Sequence, residues 1–412
     1  MRAFLANRAW KEGSCETMTG ARRIRLRIRK WRTSRLWAPF AVGVMLGASA
    51  LLVQLIAADL RQQPGAGTMR SAQQKQEEGA AFERAAEGRD AAAGGVRERP
   101  GNPPPEEGSG AAKGGAADEL GDVVVRVYIT GENRVERVPL ETYVRGVVAG
   151  EMPPDFELEA LKAQAIAART YIVRRLELRD RSGMPVRNAD VTDTPVHQVY
   201  VPLKKLGQTM DKESREKYMA VLDKATEETK GEIVTFRGEP IEAVFFSTSN
   251  GYTENSEDYW QEEIPYLRSV PSPWDVDLSP DYKETVTMTL KEFYGKLGIS
   301  SGREPGKPSI KVLERTDGKR IAEIRIEGRT YSGREVREKL GLASSQFTWK
   351  VEGDSIAITT YGYGHGIGMS QWGANGMAKE GRNALDILAY YYTGAEVVQA
   401  SKLANLSEDR RL

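Results

Sequence analysis

A carboxylic acid at the end of an apolar helical row is the first feature of this sequence that could do chemistry. Leu140, Tyr143, Val144, Val147 and Val148 recur at helical spacing, and Glu151 is the next member of that row. A carboxyl held there loses part of its hydration, which raises its pKa, and a raised carboxyl is a general acid. The plain alternative is a residue that faces water at a frayed helix end or pairs with a base. Arg169 poses a similar question, because the row Leu161, Ala165, Arg169, Val173 puts a guanidinium on the apolar side of a second helix. A buried Arg needs a partner. It can orient a carboxylate or a substrate oxygen, or it can close a structural ion pair.

The segment Tyr361-Gly-Tyr-Gly-His-Gly-Ile-Gly-Met-Ser-Gln-Trp-Gly-Ala374 carries Gly at 362, 364, 366 and 368. Read as a strand, it has one face of bare backbone, open to a ligand or to another backbone element. Its Gly364-x-Gly366 piece lacks the rest of a dinucleotide fingerprint. His197 and His365 are the only histidines, which rules out a histidine-rich metal site. A Ser-His-Asp arrangement could draw on Ser247 or Ser249 with Asp258 or Asp275, but no Gly-x-Ser-x-Gly elbow is present.

The elements that must position these residues begin well inside the 412-residue chain. Residues 1–35 hold eleven Arg or Lys against two acids and read as a basic cytoplasmic tail. Leu36 to Ala58 follows with twenty-three positions free of charge, about 35 Å as a helix, enough to span a bilayer with the basic flank inside. A cleaved signal peptide is the rival reading, with Ala48-Ser49-Ala50 as the small-residue site, but the apolar run continues past it. The sole cysteine, Cys15, precedes the span, so the exported part has no disulfide, thiol nucleophile or thiolate ligand. Residues 59–120 are rich in Gln, Glu, Ala, Gly and Pro and read as a solvated tether.

Order is expected from Asp122. A β-branched run to Thr130 reads as a strand, and helices are expected over Leu140 to about Gly150 and then to about Leu176, the second capped by Asp155. A Gln198-Val-Tyr-Val strand, a helix from Lys212 to Thr229 and a hairpin of 232–236 with 241–246 follow. The expected fold is α+β: a mixed core of helices on antiparallel strands over 121–283 and 346–400, with a smaller inserted α+β subdomain over 284–345. The strands 347–351 and 355–360 are expected to return to the first core.

Three blocks in this order resemble the stage II sporulation protein D family and its amidase-enhancer relatives. They are Val138 to Pro153 with Ala163 to Tyr171, Phe246 to Ser256 with Pro265-Tyr-Leu267, and Gly362 to Ala374. The resemblance implies a lytic transglycosylase acting on peptidoglycan strands stripped of stem peptides, during engulfment of the forespore. It places the catalytic acid on Glu151 and supporting positions on Arg169, Tyr266 and Asp275. The same blocks supply Ser247, Ser249, Tyr252, Tyr363, His365 and Gln371 as candidates for substrate binding. The implied partners are a membrane-anchored amidase/endopeptidase and a polytopic membrane scaffold; nucleic acid is not among them. Some relatives carry a His and Cys zinc site in the region of Asp190 to Tyr200, where this chain offers only His197, so neither a metal nor another cofactor is expected. Two competing readings stand beside this one: a non-catalytic wall-binding enhancer of an amidase, and an extracytoplasmic serine hydrolase. Tyr252, Tyr259, Trp260, Tyr266, Trp274, Tyr363 and Trp372 cluster in or close to these blocks and could line a glycan groove.

Overall fold

The structure, a computed structural model, describes residues 123–400 except 207, 209 and 300–307. The expected membrane helix and tether lie outside the described residues. Among the described residues no helix is long and apolar enough to cross a membrane.

Strand β1 (Val124–Ile129) and β2 (Arg134–Pro139) form an antiparallel hairpin whose turn places Asn133 in the left-handed region. Two long helices follow directly, α1 (Leu140–Glu151) and α2 (Leu158–Glu177). The apolar row on α1 is fully buried at Leu140, Tyr143, Val144, Val147 and Val148. Helix α2 is surrounded on most sides: Ala160, Leu161, Ala163 to Val173 and Leu176 are all buried. Its many alanines allow that, since a short side chain lets neighbouring elements approach from several directions. Asp155 does not cap α2. The N-cap is Glu157, and its backbone N–H donates instead to Asn375 Oδ1 at 2.8 Å, a partner 218 residues away.

Strand β3 (Val191–Thr192) adds parallel to β1, and α3 (Lys212–Glu227) is capped by Asp211. Strands β4 (Glu232–Phe236) and β5 (Glu239–Pro240) meet through a turn with positive φ at Arg237 and Gly238. The hairpin stops there. Ile241 N–H still donates to the Val234 carbonyl at 3.1 Å, residues after it leave the pair, and β6 (Phe245–Phe246) pairs in parallel with a late strand. The short helix α4 (Trp274–Leu278) precedes β7 (Lys283–Thr289) and α5 (Leu290–Lys296).

A three-stranded sheet follows, β8 (Ile310–Arg315), β9 (Ile321–Ile326) and β10 (Arg329–Ser332), then α6 (Gly333–Leu340), β11 (Phe347–Glu352) and β12 (Ser355–Tyr361). Strands β11 and β12 do not return to the first core. Strand β12 pairs with β7 along its whole length, and Phe347, Ile356 and Ile358 bury among Met288, Phe293, Ile324 and Leu340 in a second apolar cluster. The reason is register: alternate residues of β12 are buried, and that face meets α5 and α6 rather than α2.

The chain closes with β13 (Met369–Ser370), α7 (Gln371–Lys379), α8 (Ala384–Tyr391) and β14 (Glu396–Gln399), the last antiparallel to β4. The architecture is thus α+β, with helices and several small sheets around two apolar clusters.

Candidate active site

Glu151 sits on the last turn of α1 and is half-buried. Two glycines on that helix create its surroundings. A Cβ on Gly146 would stand 2.4 Å from the Tyr200 ring and 2.9 Å from the Val201 carbonyl; one on Gly150 would stand 2.6 Å from the Val199 carbonyl. Their bare backbone lets residues 198–201 lie flat along α1. That segment forms no sheet strand, because its polar groups bond to α1: Val201 N–H donates to the Gly146 carbonyl at 3.1 Å. Tyr143 stacks on Tyr200 at 5.5 Å and donates to Gln198 Oε1 at 3.0 Å. Burial holds the Tyr143 phenol far above its ordinary pKa, so it stays a donor. The same segment delivers the Val199 N–H to Glu151 Oε1 at 2.8 Å.

The other oxygen of Glu151 meets the glycine-rich block. Gln371 Nε2 donates to Oε2 at 3.3 Å from the first residue of α7. Asp275 holds that helix start. The carboxylate is fully buried and accepts from Ser249 N–H at 2.6 Å, from Ser272 Oγ at 2.7 Å and from Ser370 Oγ, the N-cap of α7. Burial raises its pKa, and the hydroxyl and backbone donors oppose that rise. Gly373 is the only residue type that fits beneath this hub, since a Cβ there would stand 2.1 Å from Tyr391 Oη and 2.4 Å from Ser272 Oγ. Trp372 completes the seating, with its ring edge-on to Phe156 at 4.7 Å and its backbone N–H on the Ser247 carbonyl at 3.1 Å.

The structure therefore brings together Glu151 and Gln371, with Asp275 one step behind. Arg169 is elsewhere. Its fully buried guanidinium forms a fork on Glu141, at 2.8 and 2.6 Å, and donates to the Glu232 carbonyl at 3.0 Å. Glu141 is ten residues before Glu151 on α1, roughly 15 Å along the helix. Arg169 is accordingly a tie between α1, α2 and β4 rather than a group beside the acid, a correction to its expected placement. Tyr266 also points away: its hydroxyl accepts from the Glu242 N–H at 2.9 Å and its ring packs on Phe236 at 5.4 Å.

The glycine-rich block is no strand with an open face. Gly362, Gly364, Gly366 and Gly368 all take positive φ. Each faces packed atoms, with Gly366 against the Arg320 guanidinium and Gly368 against the Val244 carbonyl at 2.5 and 2.1 Å from a hypothetical Cβ. Of the two approaches its bare backbone allowed, that of other protein atoms is realised. Arg320, fully buried, donates to Ser344 Oγ at 2.7 Å and pairs with buried Glu254 at 3.4 Å. Burial pushes Glu254 up to about 7 and Arg320 down to about 10.

His365 lies buried between the Phe246 and Tyr259 rings. Its Nδ1 accepts from Ile367 N–H at 3.1 Å, and burial with the Arg337 and Arg320 charges drives its pKa down to about 3. A neutral ring held this way fits structure better than substrate contact or a triad. Ser249 donates its proton to the Ser272 carbonyl at 2.9 Å, and Ser247 bonds Thr248 at 3.1 Å, so neither serine hydroxyl is aimed at His365. Tyr363 acts through its backbone, which bridges Thr248 at 2.7 and 3.0 Å. Tyr252 is exposed, with Lys319 over its ring at 5.7 Å. His197 uses both ring nitrogens inside the protein, Nδ1 accepting from Thr192 N–H at 3.1 Å and Nε2 facing the Ser182 carbonyl at 3.1 Å. Among the described residues no group of three His, Cys, Asp or Glu is disposed to hold a metal.

The sequence reading missed Val199 N–H as a partner of Glu151. A signal was present: Gly146 and Gly150, one turn apart on a helix with a long apolar row, mark a close backbone approach.

The model of the stage II sporulation protein family (SpoIID) matches residues 128–236, which include α1 and Glu151. The chain is 47% identical over 296 residues to stage II sporulation protein D of Bacillus subtilis, covering 72% of this chain and 84% of that protein. It is 48% identical over 282 residues to stage II sporulation protein D of Bacillus amyloliquefaciens, covering 68% and 79%. It is also similar to the amidase enhancer of Bacillus subtilis, 29% identical over 302 residues that cover 61% of this chain and 39% of that one. The chain belongs to the stage II sporulation protein D family.

Proposed function

We propose that this chain is a sporulation protein that cleaves peptidoglycan as a lytic transglycosylase, acting on glycan strands without stem peptides and leaving 1,6-anhydro-muramoyl ends. The observation that carries the proposal is Glu151, a half-buried carboxyl oriented through one oxygen by the Val199 N–H and through the other by Gln371.

Hydrolysis of a glycoside ordinarily needs two carboxyls flanking the bond. Asp275 is no second one, because it is fully buried and both its oxygens accept hydrogen bonds within the protein. A transglycosylase needs only one. The Glu151 acid gives its proton to the glycosidic oxygen as the C1–O bond breaks. The muramoyl C6 oxygen bonds to C1, and the C6 hydroxyl proton returns to the Glu151 carboxylate. The nucleophile is part of the substrate, so the step gains from effective molarities that reach ~10⁵ M in well-oriented cases.

The charge-free stretch 36–58 behind a basic tail supports a single membrane anchor with the catalytic part outside, in the space where a septal wall would be degraded. The membrane-anchored amidase/endopeptidase and polytopic scaffold belong to the same proposal. A second reading, stimulation of a partner amidase without cleavage, has support from the similarity to the amidase enhancer. Mass analysis of a digest of peptide-free glycan separates the two. Anhydro-muramoyl ends are the expected product; reducing ends would make the protein a hydrolase, and uncut glycan with a stimulated amidase would make it an enhancer.

A further inference from the structure

Resting on the reading of Glu151 as the acid, we propose that Gln371 is a positioning residue that keeps the transferable proton on Oε2 of Glu151, its amide donating to the carboxylate and accepting from the carboxylic acid.

The two oxygens of Glu151 have unlike partners. Oε1 accepts from the Val199 N–H at 2.8 Å, and a backbone N–H can only donate. A protonated carboxyl oxygen is a weaker acceptor than its carbonyl neighbour, so this donor favours leaving Oε1 bare. The proton then belongs on Oε2, which faces the Gln371 side chain at 3.3 Å. A primary amide is suited to that place because it carries donors and an acceptor on one planar group. With Glu151 ionised, Nε2 donates; with Glu151 protonated, a half turn of the terminal torsion presents the amide oxygen instead. The separation is longer than the 2.7–3.2 Å usual for N–H···O. The proton therefore passes to the glycosidic oxygen without breaking a strong bond, and Gln371 is again a donor to the carboxylate that takes the C6 hydroxyl proton.

The rest of the site keeps Gln371 in register. It is 5% exposed, so water competes little for its amide. The neighbours on either side are fixed, Ser370 on Asp275 and Trp372 on the Ser247 carbonyl at 3.1 Å. Ionisable groups near Glu151 include Tyr143, which acts electrostatically on it from the same helix and is bonded to Gln198, Tyr218, whose hydroxyl donates to the carbonyl of the adjacent Met152, and Asp275 behind Ser370. A residue whose role was to bind sugar would be expected to point its amide at open space rather than at the acid.

The test uses the full chain and three variants, Gln371→Met, Gln371→Glu and Glu151→Gln. Met keeps the size and removes both hydrogen-bonding functions, so kcat on peptide-free glycan should fall roughly 10- to 100-fold with KM changed less than about threefold. Gln371→Glu puts a second carboxyl against the first, and the pair shares one proton. Its upper titration, read by carbon NMR of the carboxyl resonance absent in Glu151→Gln, should rise by about one pH unit or more. The alkaline limb of the rate profile should move with it. A raised KM with unchanged kcat in Gln371→Met, or a Glu151 titration unmoved in Gln371→Glu, overturns the proposal. The NMR titration needs no turnover, so it still judges Gln371 if the chain proves not to cleave glycan.

Discussion

Replacing Gly150 by Ala isolates the contact that orients the acid. The added methyl would stand 2.6 Å from the Val199 carbonyl, whereas ordinary contact begins at 3.4 Å, so the 198–201 segment must move by about 0.8 Å. The Val199 N–H leaves with it, lengthening its 2.8 Å bond to Glu151 to roughly 3.6 Å, beyond hydrogen-bonding reach. A hydrogen bond to a charged group contributes about 1.5–3 kcal/mol, which converts to a loss of roughly 10- to 150-fold in kcat. Stability should fall by no more than about 2 kcal/mol. Overpacking costs about 1–3 kcal/mol, and exchanging Gly for Ala in a helix returns about 1 kcal/mol. Gly295, on helix α5, is the control, because a Cβ there meets nothing within 4 Å. Gly295→Ala should raise stability by roughly 0.5–1 kcal/mol and leave the rate unchanged. The assay is the rate of glycan cleavage alongside urea denaturation for both variants. A Gly150→Ala protein that cuts at the wild-type rate refutes the reasoning, since the acid would then not depend on the segment that α1 holds.

Arg169→Met should destabilise by roughly 3–5 kcal/mol, because it leaves Glu141 and the Glu232 carbonyl without their partner; adding Glu141→Gln should recover part of the loss in denaturant melts. Asp275→Asn, with its amide oxygen kept on the Ser249 N–H and the Ser370 hydroxyl, turns a donor amide toward the Ser272 hydroxyl, so it should cost about 2 kcal/mol and lower the cleavage rate by loosening the hub at the start of α7. His365 and Glu254 should give opposed pH dependences. The His365 pKa falls in the folded state from 6.5 to about 3, so its contribution is complete above 6.5 and is lost as pH falls. The Glu254 pKa rises from 4.5 to about 7, so folding weakens as pH rises through that window. Between pH 5 and 7 these two contributions oppose and should largely cancel. His365→Asn should unmask the Glu254 slope, making the variant less stable at pH 7 than at pH 5 by about 2 kcal/mol, as read from urea midpoints.

The helices that carry the site were legible because their apolar rows are long and regular. Leu140 to Glu151 and the Leu161, Ala165, Val173 row each bury as their spacing requires. What could not be read was how elements remote in sequence meet. Arg169 was correctly placed on a buried face, but its partner, Glu141, precedes it by twenty-eight residues and lies at the opposite end of α1 from the acid. Asp155 looks like a cap by residue type, yet the N-cap of α2 is Glu157, whose N–H is bonded by Asn375 from a segment no local rule connects to it. Glycines were the hardest to interpret. The alternation at 362–368 suggested a strand, but a backbone at positive φ has no strand periodicity, and only the positions of the 248–250 backbone, Phe246, Arg320 and Val244 show what each missing side chain admits. The gap between Gln371 as a substrate contact and Gln371 as a partner of Glu151 has the same origin.

The most direct test of the central claim is the digest left by Glu151→Gln. Gln can accept the Val199 N–H and pack beside Gln371, so the fold should survive, but its amide cannot give a proton to a glycosidic oxygen. Glu151→Gln should keep its unfolding free energy in urea to within about 1 kcal/mol and leave peptide-free glycan with no anhydro-muramoyl ends. A folded Glu151→Gln protein that still releases those ends would contradict the claim.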